Sequence, residues 1–496
     1  MANLLLYDAF DLLGKAYPES ISNRASPAVS HTFQSVRAKS HPLNSLERRS
    51  LVGLAAIFGL RMLGLFLILP VFALYAEDLR GYTAFLAGLA LGIYGLTQAI
   101  FQIPFGLLSD KVGRKPVIVA GLMLFAIGSV IAAMADSMVG VIIGRALQGA
   151  GAIAAAVLAL VADLTRHEQR TKAMFIIGVT IGVSFIVAIL LGPVLERFIG
   201  VRGIFWLTAA LAAMGIGVLL VWVPTPVRSV HHVDTQSMPA QFIQVLGNSQ
   251  LLRFDIGVFV LHCVLTALFV AVPFILVEKV GLPLYQHWQM YLPVVLLSAA
   301  IVLPAMLLAE RKHRIRQLLV GAVLILAVSQ LALFQGRLSF LEVALTLFLF
   351  FAAFNVLEAM LPSLISKAAP INYKGTAIGV YSTFQFMGAF VGGALGGWLY
   401  GQFDAVGVFA FTFAVLIFWF LIALKMQEPE HVATRLVRVG PQPPARAREL
   451  AHELGSIDGV TEAVVIAEEG VAYLKIDVSI LDEEALSRFS CPPEAV

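Results

Sequence analysis

The sequence predicts an all-α membrane protein of twelve crossing helices in two six-helix halves, followed by a small α+β domain. Three observations lead there. Apolar runs of roughly twenty residues, long enough to cross a ~30 Å hydrocarbon core as helix, recur along the chain. Of all residues 59% are hydrophobic and 13% charged, with a mean hydropathy of +0.88; a soluble chain would carry roughly twice that charged fraction. After residue 426 the composition changes, and short alternating strands replace the long runs.

Residues 1–45 are expected to form a disordered cytoplasmic leader, since Ser, Pro, His and Arg are scattered through them and no continuous signal-peptide core is present. Runs at 51–73, 84–108, 116–135, 139–161, 173–195 and 203–223 make the first half, 46–223. Residues 224–252 read as a cytoplasmic linker; its adjacent His231 and His232 fit a solvated segment or, less simply, a metal site. Runs at 254–277, 288–309, 317–335, 340–362, 375–400 and 406–426 make the second half, 253–427. An even number of crossings places both termini on one side, and loop charge says which. One set of loops carries Lys111, Arg114, Lys115, Arg166, Arg170, Lys172, Arg311, Lys312, Arg314, Arg316, Lys367 and Lys374, the other only Arg80, Arg197, Arg202, Lys279 and Arg337. Both termini are therefore expected in the cytoplasm. A β-α-β-β-α order follows at 433–490, its hairpin turning at Glu468-Glu469-Gly470 and Asp482 capping the last helix. Cys263 and Cys491 have neither disulfide nor metal spacing.

The most informative loop reads Gly106-Leu-Leu-Ser-Asp110-Lys-Val-Gly113-Arg114-Lys115-Pro116. Its glycines suit a tight turn and its cations an inside loop, so a purely topological role would explain much of it. It does not explain Asp110, an acid at a helix end one turn from Arg114. Residues 107–114 align with 307–314, acid Asp110 on Glu310 and Arg114 on Arg314, as an internal repeat would. The second copy has lost its glycines.

This loop resembles the motif between the second and third helices of the major facilitator superfamily. Gly144-Arg145-Ala-Leu-Gln148-Gly149-Ala-Gly151 is similar to the fourth-helix motif of its drug/proton antiporters. The stretches from Arg61, Gly92, Val356 and Tyr373 resemble bacterial YajR-type transporters, whose appended ferredoxin-like cytoplasmic domain matches 433–490. The resemblance implies a major facilitator fold in a bacterial inner membrane and movement between inward-open and outward-open states. It also implies that Gly106, Asp110, Gly113, Arg114 and Lys115 form a conformational switch with Asp163, Asp110 meeting the positive end of the eleventh helix near Gly375. Two departures stand out: helix 1 carries Arg61 and no acid, and Gly192-Pro193 is followed by Leu195 and Glu196 where glycines are usual. The metal-carrier Cys-x-x-Cys loop of related small domains is missing, so a regulatory or packing role is expected for the last domain.

Ionisable residues inside membrane helices mark pathways or relays by default. Glu358 is the first candidate for a proton carrier, because a carboxyl withdrawn from water readily holds a proton; pairing with a neighbouring helix is its alternative. His262 is second, with core packing as its alternative. Arg61, Gln98, Gln102, Arg145, Tyr381 and Gln385 are candidates for polar groups in a cavity, and Asp255 is expected at the membrane interface. Glycines at 178 and 182, and at 388, 392, 393, 396 and 397, are expected to let helices pack closely. The function so implied is proton-coupled efflux of small amphipathic or drug-like molecules. The alternatives are a metabolite carrier, by symport or without protons, and a transporter-like sensor signalling through the last domain. No enzyme constellation, metal site or nucleic-acid patch is expected, no cofactor beyond the proton gradient, and a monomer in the bilayer.

Overall fold

A computed structural model describes residues 43–225, 238–334, 339–426, 432–467, 470–477 and 480–489. The leader 1–42, the paired histidines of the linker, the Glu468-Glu469 turn and Cys491 lie outside these. Residues up to Arg48 form one unit. Its described part begins α1 (Ser45–Phe66), where Asn44 and Glu47 cap each other: Glu47 N donates to Asn44 Oδ1 at 2.7 Å and Asn44 N to Glu47 Oε2 at 2.9 Å.

The second unit carries everything else. Its N-terminal half continues from α1 through α2 (Phe72–Tyr75), α3 (Ala84–Val112), α4 (Arg114–Met134), α5 (Met138–Ala150), α6 (Ala154–Leu164) and α7 (His167–Val221). Within the linker α8 (Met238–Gly247) forms, and Thr376 Oγ1 donates to its Gln241 Oε1 at 2.9 Å. The C-terminal half is α9 (Ser249–Glu278), α10 (His287–Arg311), α11 (Ile315–Phe334), α12 (Phe340–Ala368) and α13 (Lys374–Ala423).

Ten helices among the described residues are long and apolar enough to span, two of them 50 residues long or more as drawn. Each of those two folds back at a single non-helical residue, Gly200 (φ 64°) in α7 and Asp404 (φ 54°) in α13. The kinks restore the twelve expected crossings. They also extend the internal repeat, since the loop pair Gly113 (φ 104°) and His313 (φ 51°) again sets a glycine in the first half against a non-glycine in the second. The degenerate copy has kept a positive φ and lost the residue that adopts it without strain. One predicted span differs. The fourth is broken at 151–153 into α5 and α6, where Gly121 O lies 2.2 Å from where a Cβ on Gly151 would sit.

The small domain has β1 (Val432–Arg438), α14 (Pro444–Gly455), β2 (Val460–Ile466), β3 (Val471–Asp477) and α15 (Glu483–Ser487). Strand β3 lies between β1 and β2, antiparallel to both, which is the split β-α-β arrangement expected. Val437, Leu450, Leu454, Leu474, Ile476 and Leu486 form its own core. Asp482 caps α15 through Glu484 N and Ala485 N at 3.0 and 2.9 Å.

Candidate functional site

The charged loop joins α3 to α4 and defines what we term the motif face. Gly113, at φ 104°, makes the turn that lets Arg114 fold back on the end of α3. Arg114 then pairs with Asp110, donates to Ser109 Oγ at 2.8 Å, and reaches Asp163 Oδ2 of α6 at 3.3 Å. The Asp163 side chain is 4% exposed and that of Asp110 38%, so Arg114 is the counter-ion of a buried carboxylate on one side and a half-open one on the other. Lys115 Nζ donates to Val223 O at 2.5 Å, tying the loop to the end of α7. Gly106 packs on Ala155, whose Cβ would lie 3.3 Å from an added Cβ. Ser109 was no sequence candidate; a hydroxyl one residue before the acid carries no signal of its own.

The expected contact between Asp110 and the start of the eleventh crossing is not made in this structure. A Cβ at Gly375 would meet nothing within 4 Å, nor would one at Gly379. At the opposite, far face the halves are pressed together. A Cβ on Gly88 of α3 would fall 2.1 Å from Gly393 O of α13, one on Gly92 2.6 Å from Phe390 O, and one on Gly95 2.4 Å from Phe386 O. Arg197 of α7 lies over the Tyr285 ring at 4.7 Å, a second bridge between halves at that face. Nearby, burial and the carboxylates of Glu278 and Asp78 hold Glu77 above the usual carboxylate range. The glycines of α13 therefore pack closely as expected, but Gly178 and Gly182 of α7 do not, with open space at both. The two findings go together: the backbones of the two halves press on each other at the far face, whereas a Cβ at Gly178, Gly182 or Gly375 meets nothing within 4 Å.

Inside the N-terminal half the two arginines find no acid. Arg61 Nη2 donates to Gln98 Oε1 at 2.8 Å and to Gly151 O at 2.9 Å, and Gln98 Nε2 continues to Gln102 Oε1 at 2.8 Å. The break after α5 explains the choice: it leaves C-terminal carbonyls, with their partial negative charge, aimed at a cation. Arg145 binds the carbonyls of Ala90 and Leu91 at 3.2 and 3.4 Å and Gln148 Oε1 at 2.9 Å; Gln148 in turn donates to Ser129 Oγ at 2.7 Å. The Tyr94 ring stands between them, 5.9 Å from Arg61 and 5.2 Å from Arg145. Tyr94 escaped the sequence reading because an aromatic in an apolar run looks like any other core residue.

In the C-terminal half three candidates from three helices meet. His262 Nε2 of α9 lies 3.7 Å from Glu358 Oε2 of α12. Gln385 Nε2 of α13 sits 2.8 Å from His262 Nε2 and donates to Glu358 Oε1 at 3.4 Å. His262 Nδ1 faces Val258 O at 3.2 Å, where only a donor is useful, so in the neutral ring Nδ1 carries the hydrogen and Nε2 accepts from Gln385. Pro362, one turn beyond Glu358 in α12, has no N–H and leaves the Glu358 carbonyl without its helical partner. The wall beside this trio is aromatic. Phe354 lies 6.0 Å from the His262 ring and stacks on Phe185 of α7 at 6.3 Å, so residues of both halves face it. Asp255, expected at the membrane interface, is wholly buried within the protein. Tyr381 is buried beside it on α13 with its hydroxyl unpartnered. The sequence signal was there, a carboxylate inside an apolar helix, but position near a helix end argued the other way.

The small domain is seated on the motif face of the C-terminal half. Lys475 Nζ donates to Ala368 O and Ala369 O, both at 3.4 Å, and Glu462 Oε1 accepts from Ile371 N at 3.1 Å. These contacts hold the turn between α12 and α13, hence the start of the helix that Asp110 is expected to meet. The double substitution Lys475→Ala/Glu462→Ala should loosen the domain without unfolding it, its core being separate. Limited proteolysis of the purified protein should then release the domain at least tenfold faster, with an unchanged melting of the membrane part.

Two helical halves pressed together at the far face, each with buried polar groups of its own, have the geometry of a carrier. The Major Facilitator Superfamily profile matches residues 54–393 and 303–456, and the chain belongs to that superfamily of membrane transporters. It is 46% identical over 436 residues to the inner membrane transport protein YajR of Escherichia coli (strain K12), covering 88% of this chain and 95% of that protein. It is 26% identical over 351 residues to the multidrug resistance protein MdtH of Yersinia enterocolitica, covering 68% of this chain and 84% of that one. The D-xylose–proton symporter superposes with a TM-score of 0.63 at 16% identity, over 77% of this chain and 98% of that one. A bacterial homologue of the human lysosomal transporter Spinster gives 0.63 at 14%, over 77% and 96%; these likenesses concern the fold alone. The chain is accordingly a multi-pass inner-membrane protein acting on a small-molecule substrate, and not an enzyme.

Proposed function

We propose that the protein exports small amphipathic or drug-like molecules in exchange for protons, by alternating access, with the motif face in the cytoplasm. The observation that carries this reading is the meeting of Glu358, His262 and Gln385 beside an aromatic wall shared by both halves. Two proton acceptors within 4 Å of each other can hold one proton between them, and a proton on His262 Nε2 would exchange Gln385 for Glu358 as its partner. That rearrangement places charge change at the wall against which a greasy substrate would lie. The basic loops support the orientation, and a distant relative, MdtH, is named for multidrug resistance.

The test is proton and substrate flux in proteoliposomes across a panel of lipophilic cations and small metabolites. Glu358→Gln should lower proton-coupled flux at least a hundredfold while substrate still binds. Transport that proceeds unchanged without a proton gradient would discard the antiport reading in favour of a facilitator. A sensor is the second reading, supported by the seating of the small domain on the α12–α13 turn. Substrate-dependent protection of that domain from protease, without flux, would favour it.

A further inference from the structure

The most deeply buried carboxyl of the C-terminal half, among the described residues, is Asp255 rather than Glu358. None of its surface is exposed, and neither carboxyl oxygen has a hydrogen-bond partner. Buried polar groups are almost always partnered, so such a group calls for a reason. Three further groups of the same half share the feature. The hydroxyl of Tyr381 and the indole N–H of Trp419 are buried without partners, and so is Oε2 of Glu358. Tyr381 lies within electrostatic reach of both Asp255 and Glu358. Trp419 packs on Gly257, 3.0 Å from an added Cβ, two residues from Asp255.

The helices place these groups in a row. Asp255 and His262 lie two turns apart on one face of α9, and Tyr381 and Gln385 one turn apart on α13. The two helices run parallel in backbone contact, Gly388 on Phe259, Gly392 on Cys263 and Gly396 on Ala267. Asp255 and Tyr381 are thus the pair nearer the motif face, and His262, Gln385 and Glu358 the pair's continuation inward. Cations do not compete for Asp255. Its neighbour Arg253 turns outward to Lys425 O at 2.9 Å and Gln250 Oε1 at 3.2 Å. Helix α8, packed on α9, carries no ionisable side chain. The ionisable group within electrostatic reach of Asp255 is Tyr381 of α13.

We propose that Asp255 is a second proton-binding carboxyl, joined through the Tyr381 hydroxyl to Glu358 and His262 as a relay leading to the motif face. The three groups are not hydrogen-bonded to one another in this structure. In the transfer, made when rearrangement brings them into contact, Asp255 gives its proton to the Tyr381 oxygen while the Tyr381 hydroxyl gives its own to Glu358. Asp255 becomes the carboxylate, Glu358 the acid, Tyr381 ends neutral, and no oxidant or second reactant is needed. The inference deepens the proton-coupling reading above and rests on it.

Infrared difference spectra of the full chain in lipid, recorded on pH cycling, read protonated carboxyls directly and need no substrate. Two carbonyl-stretch bands that shift in heavy water are expected. Asp255→Asn should remove one and Glu358→Gln the other, while Tyr381→Phe keeps both but slows their re-equilibration after a pH jump at least tenfold. Loss of a band with Glu358→Gln but none with Asp255→Asn would overturn the second site and leave proton coupling standing. No loss with Glu358→Gln would remove the coupling reading itself, whatever Asp255 does. Should Asp255→Asn not fold, Asp255→Glu must displace one band; an unmoved spectrum overturns the proposal.

Discussion

Valine at position 88 should leave the protein folded and unable to close its far face. An added Cβ there would lie 2.1 Å from Gly393 O and 2.7 Å from the Gly397 Cα, backbone atoms of the other half. Overpacking costs about 1–3 kcal/mol even where neighbours can yield. Here both sides are helix backbone, so the population closed at the far face should fall at least ~100-fold. Val270, 2% exposed and packed among N-terminal-half residues at that face, is the reporter. With Cys263 and Cys491 replaced by serine, a cysteine introduced at Val270 should resist a polar maleimide in solubilised wild type and react in Gly88→Val. A folded variant whose reporter stays unlabelled would refute the assignment of the far face as a gate. Gly392→Val is the contrast, since its Cβ would lie 2.0 Å from Cys263 O inside the C-terminal half. That clash occurs in every state, so loss of folded protein is expected. The same reporter, referred to a free thiol at each pH, should show a pH dependence. Glu77 is held above its ordinary range by burial and neighbouring acids in the closed arrangement, so acid should favour closure and labelling should fall as pH falls.

Arg114→Ala should cost about 3–5 kcal/mol, because it leaves Asp163, whose side chain is 4% exposed, as a buried carboxylate without its cation. Thermal melting in detergent measures this. Asp110→Asn, whose side chain is 38% exposed, should cost under ~1 kcal/mol in this conformation and act instead on the balance between conformations. Arg114→Ala/Asp163→Ala should melt above Arg114→Ala alone, since the stranded charge is gone. Equal melting of the single and double variants would mean that Asp163 does not depend on Arg114.

Twelve crossings and the small domain's strand order were legible in the chain, because each is a local matter. Transfer of apolar residues into lipid dictates the spans, and turn chemistry at Gly113 or Asp482 acts within a few residues. Arg61 and Glu358 were recognisable as costly for the same reason. What they touch was not. That Arg61 is met by the carbonyl of Gly151 depends on a helix break ninety residues away, and that His262 meets both Gln385 and Glu358 on three helices converging. The emptiness around Gly178 and Gly375 and the backbone contact of Gly88 with Gly393 follow from which end of the molecule is closed, and the burial of Asp255 from the packing of α9 on α13. A sequence that must serve two conformations specifies both sets of contacts; only the tertiary arrangement selects between them.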